Sequence, residues 1–288
     1  MFDPRAFRRF KKNRGAVAGL GLVALLVLFA VLGPVVTGHD PDISDFAHGR
    51  NASGQLVGIS SAHWLGVDQL MRDLLSRLCH GAQVSLLVAF FATGISIVVG
   101  ALVGLVSGYA EGTRAQGVDT FLMRLVDVGL SFPYLLLVMA IGAAVGDTTI
   151  TTILMVLGFT SWFGTARIIR SKAIQVRSLD FIVASRALGQ STPSILLRHI
   201  LPNVAGPLIV IASASVAQMI IAESVLSYLQ VGLPPPTATW GRMLQEGQRY
   251  YTVAPRLVVA PGLMIFLSVL GFNLVGEGLR DALDPHED

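Results

Sequence analysis

The sequence predicts an all-α, polytopic membrane protein with six transmembrane helices, and two observations support this fold class. Of its 288 residues, 53% are hydrophobic and only 14% are charged, whereas soluble domains carry about 25% charged residues. Six uncharged windows are also long enough to cross a hydrocarbon core of ~30 Å. Such a composition excludes a water-soluble enzyme, a disordered chain and a secreted disulfide scaffold.

The six windows share the absence of Asp, Glu, Lys and Arg. Backbone groups in lipid must find hydrogen-bond partners within their own segment, so each window is predicted to be a helix and not a strand. In chain order the windows cover residues 15–38, 81–110, 128–146, 148–166, 200–222 and 257–276. Asp147, between the third and fourth windows, predicts a tight external hairpin.

The first window follows a cluster of basic residues, a pattern that signal peptides share. The cluster consists of Arg5, Arg8, Arg9, Lys11, Lys12 and Arg14. The apolar stretch after it is longer than a signal core of about 7 to 15 residues, and no A-x-A cleavage sequence follows. We therefore interpret the first window as an uncleaved anchor.

The distribution of basic residues predicts that both termini are cytoplasmic. Cytoplasmic loops carry an excess of Lys and Arg. In this chain the Lys and Arg residues are concentrated in the amino-terminal segment and in the predicted internal loop after residue 166. The net charge of +3 then reflects orientation in a lipid bilayer and not a nucleic-acid partner.

Two units are predicted along the chain. Residues 1–80 hold the basic segment, the first transmembrane helix and an external loop. Residues 81–288 form a core of five transmembrane helices, with an internal loop at about residues 171–203.

The sequence lacks the short motifs that mark common catalytic and nucleotide sites. Walker A, H-E-x-x-H and G-x-S-x-G sequences are absent, and Cys79 is the single cysteine, so no site is predicted from these patterns. The first external loop holds His39, His48, His63 and His80, whose spacing resembles no ligand pattern. They are interpreted as solvated loop histidines, and the chain is predicted to bind no cofactor or metal.

Polar side chains within the spans are costly, about 2.5 to 3.5 kcal/mol for a charge near a helix centre, and tend to mark function. Arg124 and Asp127 lie three residues apart near the inner end of the third span and are predicted to pair with each other. Gln218 and Glu223 lie toward the outer end of the fifth span. Glu223 either faces a polar cavity or reaches the outer interface, and the sequence does not choose between these.

Gly100, Gly104 and Gly108 recur every four residues along the second span. This spacing predicts a smooth stripe that lets another helix approach closely. The approaching helix belongs either to this chain or to another subunit, and packing within the chain is favoured.

The internal loop is predicted to contain a short amphipathic helix. Asp180 is placed to cap its amino terminus, and Phe181, Ala184 and Leu188 form one apolar face. Gly189 is expected to end the helix in a left-handed turn.

A second helix is predicted directly after this turn. Thr192 is placed as its cap and Pro193 at its first position, and the helix is expected to stop before Pro202. The apolar face of the first helix either packs on the chain's own helix ends or docks a partner, and the residue pattern leaves both readings open.

The same loop resembles a known family signature. Residues 184–189, followed by residues 201–202, resemble the E-A-A-x-x-x-G-x9-I-x-L-P (EAA) motif of the membrane subunits of binding-protein-dependent ABC importers. The sequence departs from this motif at Val183, Ser185 and His199. Without an acidic residue at the first position, a salt bridge from there to a partner is in doubt, whereas the helical dock is not.

Several other segments are similar to one subfamily, the dipeptide, oligopeptide and nickel importer permeases. Residues 63–77 resemble its H-P-L-G-T-D-x-x-G-R-D-x-x-S-R motif, with departures at positions 64, 67 and 71. Residues 198–203, 223–232, 235–241 and 271–285 also match it in order. The long external loop and the carboxyl-terminal segment resemble its second, "C"-type permease, which has the type I ABC importer permease fold.

This resemblance implies a permease subunit of a bacterial plasma (inner) membrane importer of dipeptides or oligopeptides. Its implied partners are a second homologous permease, two ABC ATPase subunits that hydrolyse ATP, and an extracytoplasmic substrate-binding protein. The chain itself would not be an enzyme. The residues that the resemblance assigns to ATPase coupling are Asp180, Phe181, Ala184, Ser185, Arg186, Ala187, Leu188, Gly189, Leu201 and Pro202.

Three other interpretations remain at this stage. The chain could instead belong to a nickel or other small-solute importer, since the permeases of this family resemble one another and the binding protein largely selects the cargo. A proton-linked secondary transporter would use Glu223 and Asp127 as its carboxylates. Independently of cargo, Asp68, Arg72 and Asp73 in the external loop are predicted to act near the binding protein or a gate.

Overall fold

The structure is a computed structural model that describes residues 4–50, 54, 56–146 and 148–283, with residues 4–6 described in their backbone alone. The described residues contain no strand, only two isolated bridges, which join Arg50 to Leu56 and Val67 to Asp73. The predicted hairpin residue Asp147 and the end of the last matched segment, Pro285, lie outside the described residues. The all-α fold class is confirmed.

The described helices are, in chain order, α1 (Pro4–Lys12), α2 (Arg14–Thr37), α3 (Leu74–Ala110), α4 (Gln116–Ser131), α5 (Tyr134–Val145), α6 (Ile150–Thr160), α7 (Trp162–Arg177), α8 (Asp180–Ala187), α9 (Thr192–Ile195), α10 (Leu201–Tyr228), α11 (Trp240–Gly247) and α12 (Arg256–Leu283). A π-helical turn, Leu196–Ile200, joins α9 to α10, and a 3-10 turn, Gln248–Tyr250, follows α11. The division into residues 1–80 and 81–288 stays a prediction.

Five stretches of the described chain are long and apolar enough to cross a membrane. They are α2, α3, α6 with α7, α9 with α10, and α12, and a bent pair formed by α4 and α5 raises the number to as many as six. Because α4 and α5 meet at 94°, the third window, predicted as a single helix over residues 128–146, is divided between two helices. Pro133 lacks an N–H and disfavours helical geometry at the residue before it, and Phe132 is accordingly extended (φ −89°, ψ 139°).

The long helix α3 lies at the centre of the bundle, in contact with α2, α6, α7 and α10. Its closest approach is to α7, along the predicted glycine stripe. A Cβ atom built on Gly104 would lie 2.6 Å from the carbonyl oxygen of Ala166, and one on Gly108 would lie 2.6 Å from that of Arg170. The stripe therefore packs within the chain, which confirms the favoured interpretation.

The bundle has two ends, which we name after the short helices that lie there. At the α8 end, Arg186 of α8 stacks on Tyr109 at the close of α3. At the α11 end, Trp240 of α11 donates a hydrogen bond to the carbonyl of Leu78 near the start of α3.

The first and last described helices meet at the α8 end. The Asn13 amide, which caps α2, donates a hydrogen bond of 2.9 Å to Asp281 in the last turn of α12. Both ends of the described chain therefore lie on the side of the bundle that carries α8, as an even number of crossings requires. That this side is the cytoplasmic one stays a prediction.

The prediction that the second loop helix stops before Pro202 is wrong. Ser191, not Thr192, is the residue before this helix, and the chain stays helical from Thr192 through Tyr228. Pro202 has no N–H to donate to the preceding turn. The helix adapts with a π-helical turn in which the Leu201 N–H bonds the carbonyl of Leu196, five residues back, and proline is then accommodated near the start of α10.

Candidate functional site

Helix α8 is attached to the bundle by one buried side chain, Ser185 is half-buried, and its other side chains are exposed. Ile182 is fully buried in an apolar cluster that includes Ile169 of α7 and Ile195 of α9. Phe181 and Leu188 are 45% and 87% exposed. The predicted apolar face therefore points away from the rest of the chain.

The end of α8 has the geometry that the sequence predicted. Gly189 is left-handed (φ 79°). Its N–H bonds the carbonyl of Arg186 at 2.9 Å, and the N–H of Gln190 bonds the carbonyl of Ser185 at 3.1 Å. This pair of bonds is the Schellman motif, in which glycine satisfies the last helical carbonyls at no steric cost.

The beginning of α8 differs from the prediction. Leu179 occupies the position before the helix and provides no side-chain cap, and Asp180 is the first helical residue. Asp180 therefore acts through its negative charge near the helix amino terminus and not through a capping hydrogen bond.

Two further contacts hold α8 and the π-helical turn at the α8 end. The Arg186 guanidinium lies 4.7 Å from the Tyr109 ring centroid, a cation–π distance. His199, which departs from the family signature, pairs its Nε2 with the Gln190 side chain at 3.0 Å. Of the other residues assigned to coupling, Ala184 and Ala187 in α8 and Pro202 are exposed, whereas Leu201 is half-buried.

Behind α8, an ion pair that the sequence reasoning missed joins α4 to α7. Arg170 donates two hydrogen bonds to Asp119, at 2.6 and 2.8 Å, and Ser107 of α3 donates a third to the same carboxylate. Arg177 then binds the carbonyls of Tyr109, at 2.8 Å, and of Glu111. The basic side chains at this end therefore join α3, α4 and α7, whereas the distribution of basic residues in the sequence had been related only to the orientation of the chain in the membrane.

The intramembrane polar residues are arranged differently from the prediction. Asp127 accepts a hydrogen bond of 2.5 Å from Arg167 of α7, so its predicted pairing with Arg124 is wrong. Helices α4 and α7 pack side by side, and this brings Arg167 to the face that carries Asp127.

Glu223 faces neither a polar cavity nor the outer interface. It is fully buried between helices, where Ser85 of α3 donates a hydrogen bond of 2.8 Å and Ser227 of its own helix donates one of 2.7 Å. A hydrogen-bonded side chain of this kind holds two helices together in an apolar interior.

A groove runs between α4 and α5 on one side and α6, α7 and α10 on the other. It has a volume of about 380 Å³ and includes the exposed Gln218 together with Ser215. At its wall the Tyr134 hydroxyl lies 2.9 Å from the Ser161 hydroxyl. The right-angled break between α4 and α5 therefore opens a partly polar surface along the spans.

At the α11 end, the external-loop residues Asp68, Arg72 and Asp73 are buried and not solvated. Arg72 binds Asp68 at 2.7 Å and Glu246 of α11 at 2.8 Å. Arg77, inside α3, binds the same Glu246 oxygen at 3.1 Å. We call Asp68, Arg72, Arg77 and Glu246 the α11-end ion network, and the predicted role of its loop residues near a binding protein or gate stays a prediction.

The network sets the charge state of Glu246. Burial alone would raise the pKa of this carboxyl, but the charges of Arg77 and Arg72 and hydrogen bonds from Gln69 and Arg242 outweigh burial and hold the pKa below its ordinary value. Glu246 is therefore ionised at neutral pH and fixes α11 on the start of α3.

We call the chain between α2 and α3, residues 38–73, the external segment after its predicted side of the membrane. Its histidines are not all solvated. His63 is 1% exposed and forms a 2.9 Å contact through Nδ1 with the Asp73 carboxylate. Its placement contradicts the interpretation as a solvated loop histidine, because the segment folds back against the start of α3.

A bundle of apolar, membrane-spanning helices around a partly polar groove is consistent with a membrane transport subunit. The chain belongs to the family of binding-protein-dependent transport system inner membrane components, whose sequence pattern matches residues 96–287. Residues 5–53 match the N-terminal transmembrane domain of oligopeptide transport permease C. The chain is thus a multi-pass inner-membrane permease subunit of an ABC importer, works with ATPase and substrate-binding partners, and is not itself an enzyme.

Several relatives are similar to the chain over nearly its whole length. The dipeptide transport system permease protein of Alkalihalophilus pseudofirmus is 37% identical over 280 residues, which cover 97% of this chain and 88% of the relative. The glutathione transport system permease protein of Pectobacterium atrosepticum is 37% identical, with 97% and 89% covered. The oligopeptide transport system permease protein of Bacillus subtilis is 33% identical, with 97% and 88% covered.

Proposed function

We propose that this chain imports dipeptides or oligopeptides and forms half of a translocation pathway beside a second, homologous permease. Two ATPase subunits and an extracytoplasmic binding protein complete the importer. The observation that carries the proposal is α8, a short helix anchored by one buried residue and exposing Phe181 and Leu188 at 45% and 87%. An apolar surface of this kind, at a bundle end rich in basic residues, suits a cleft in a soluble subunit.

In this proposal α8 transmits the closure of the ATPase pair to the spans. Ile182 in the apolar cluster and Arg186 on Tyr109 connect α8 to α7 and α3. Because the glycines of α3 pack directly against the backbone of α7, a force applied to α8 moves both helices together. The groove lined by Gln218 is then this chain's half of the pathway, and its polar groups meet the peptide bonds of the cargo.

The names of the relatives support a peptide cargo. They refer to dipeptides, oligopeptides and glutathione, which all contain amide bonds. Nickel or another small solute is the alternative within the same fold. Membership in a binding-protein-dependent family argues against the proton-linked transporter, and so does Glu223, which is fully buried and accepts hydrogen bonds from Ser85 and Ser227.

Gly189 provides the test of coupling. A Cβ at this position would meet nothing within 4 Å, so only the left-handed backbone restricts the residue. Gly189→Val is disfavoured there, whereas the matched control Gly189→Asn tolerates this conformation. With importers reconstituted in vesicles, we expect Gly189→Val to abolish ATP-driven uptake and Gly189→Asn to retain it, with both chains inserted normally.

Normal uptake by Gly189→Val would refute the coupling role of α8. The cargo is tested separately, by titrating the binding protein that co-purifies with this chain against dipeptides, glutathione and Ni²⁺ in a calorimeter. Heat with Ni²⁺ and none with peptides would refute the peptide assignment and leave the coupling mechanism intact.

A further inference from the structure

The α11 end contains a cluster of histidine and aspartate side chains that the transport mechanism does not use. One ligand atom each from His39, His63 and Asp73 lies within 4.8 Å of the other two. His39 follows α2, His63 belongs to the external segment, and Asp73 caps the first turn of α3. Three separate parts of the chain therefore converge on one point.

The cluster is held by its surroundings before any ion is considered. Asp73 uses Oδ1 to accept the N–H of Ser76 at 2.7 Å, which leaves Oδ2 for the histidines. The Ser76 hydroxyl donates to the carbonyl of His39 at 2.6 Å, and the N–H of His63 bonds the Ser60 hydroxyl at 3.0 Å. Each candidate ligand is thus fixed through its backbone or its second oxygen.

The hydrogen bonds of His39 leave one ring nitrogen free for an ion. Its Nδ1 lies 2.7 Å from the carbonyl of Thr37, an acceptor only, so Nδ1 carries the proton. In the neutral imidazole, Nε2 is then the nitrogen that has a lone pair. A backbone carbonyl bound to the second ring nitrogen is the usual orienting contact of a metal-bound histidine.

His63 is the observation that points to a cation. Its ring is 1% exposed, Nδ1 lies 2.9 Å from Asp73 Oδ2, and Nε2 is buried without a hydrogen-bond partner, 3.5 Å from Asp45 Oδ2. A metal ion on Nδ1 would move the ring proton to Nε2, where it faces the Asp45 carboxylate. The orphaned nitrogen would then gain the orienting acceptor that metal-bound histidines have.

We propose that His39 Nε2, His63 Nδ1 and Asp73 Oδ2 bind a divalent transition-metal ion of the zinc class at the joint between α2, the external segment and α3. Two imidazole nitrogens and one carboxylate oxygen are ligands that Zn²⁺ and Ni²⁺ accept, and hard cations such as Mg²⁺ do not favour them. Three protein ligands leave a fourth position open, as in zinc sites that keep a water.

The size and access of the site fit such an ion. Tetrahedral zinc with bonds of about 2.0 to 2.2 Å places its ligands roughly 3.4 Å apart. His63 Nδ1 and Asp73 Oδ2, now 2.9 Å apart, would separate by about 0.5 Å, and ligand atoms now up to 4.8 Å apart would close by up to about 1.4 Å. A cavity of about 270 Å³, lined in part by His39, Trp64 and Asp73, lies against the cluster. Binding would replace the proton shared by His63 and Asp73 and would pin the external segment to two spans.

The experiment uses the full chain, purified in mild detergent on an affinity tag without histidine and stripped with a chelator. Zn²⁺ is titrated at pH 7 against a chromogenic competitor. We expect one saturable site per chain, weakened about 100-fold or more in His39→Ala, together with an upward shift of the melting temperature on Zn²⁺ addition in the wild type but not in His39→Ala. His80→Ala is the matched control, since His80 bonds the Ser76 carbonyl outside the cluster, and it should bind like the wild type.

The accessible His39 is chosen because its removal spares the buried interior, and His63→Gln is the second variant. Absence of stoichiometric Zn²⁺ binding by the folded wild type would overturn the proposal. Equal affinity in His39→Ala and His80→Ala would overturn it as well. Neither readout involves transport, so the result is independent of the cargo.

Discussion

The glycine contact between α3 and α7 gives a prediction whose size follows from the structure. A Cβ on Gly104 would lie 2.6 Å from the carbonyl oxygen of Ala166, 2.8 Å from the Cβ of Ile169 and 3.0 Å from the backbone nitrogen of Arg170. Two of these atoms belong to the backbone, so no side-chain rotation relieves the clash. Gly104→Ala therefore forces the two helices apart.

The separation required is small but costly in a packed interior. Reaching an ordinary contact of 3.4 Å from 2.6 Å needs a shift of about 0.8 Å. Overpacking of this kind costs about 1 to 3 kcal/mol. Alanine also favours helix over glycine by about 1 kcal/mol, and this gain partly offsets the steric cost.

Gly94 in the same helix separates the two effects. A Cβ there would meet nothing within 4 Å, so Gly94→Ala changes helix propensity and leaves packing unchanged. The difference between the two variants is then the steric cost alone. We expect Gly104→Ala to be less stable than Gly94→Ala by about 1 to 3 kcal/mol.

The assay is reversible unfolding of the purified chain in mixed detergent micelles, followed by tryptophan fluorescence. Trp162 reports on the contact directly, because its carbonyl lies against Gly100 of the same stripe. Equal unfolding free energies for the two variants would refute the reasoning, since the helices would then separate at no cost or the stripe would not be packed.

Three further predictions concern the two ends of the bundle. Glu246→Gln leaves Arg72 and Arg77 without their shared carboxylate and should cost about 3 to 5 kcal/mol by thermal unfolding. Because the folded pKa of Glu246 is lowered, this carboxylate stabilises the wild type above its unfolded pKa of about 4.3, and the stabilisation is lost as the pH falls through the folded pKa. A variant whose melting temperature depends on acid pH in the same way as that of the wild type would contradict this. Asp119→Asn removes the negative charge and one of the two oxygens that accept hydrogen bonds from Arg170, and it should cost about 1.5 to 3 kcal/mol in the same measurement. Asp127→Asn, at an exposed ion pair, serves as the control and should change stability by less than about 1 kcal/mol. Leu188→Asp, at an 87% exposed position, should change stability by no more than about 0.5 kcal/mol and yet lower ATP-driven uptake in reconstituted vesicles. Full uptake by this variant would mean that the exposed face of α8 is not a docking surface.

The sequence predicted those features that depend on local pattern. Spans follow from uncharged length, and the left-handed end of α8 follows from one glycine after an amphipathic turn. The bend between α4 and α5 was also encoded locally, in Pro133. It was missed because hydropathy measures the apolar length of a window and is insensitive to whether its helix is straight.

Contacts between distant positions could not be predicted in this way. Arg77 and Glu246 are separated by 169 positions, and nothing in either segment shows that the other lies opposite. Arg124 and Asp127 illustrate the converse error, because local spacing suggested a pair while the packing of α7 supplied Arg167 instead. Spacing along one helix therefore does not identify the partner of a charged residue when a second helix packs beside it.

Both ends of the bundle contain buried ion pairs, but they differ in how their short helices are attached, and this difference bears on mechanism. At the α11 end, Arg72 and Arg77 are buried and paired with acidic groups of the loop and α11, so movement there would break several charge contacts within low-dielectric surroundings. At the α8 end, Leu188 is exposed and α8 is attached through Ile182 and the Arg186 contact. In the proposed mechanism, an ATPase partner applies force at the α8 end to helices that are joined by ion pairs at the other end, and we expect the bundle to tilt about the α11 end.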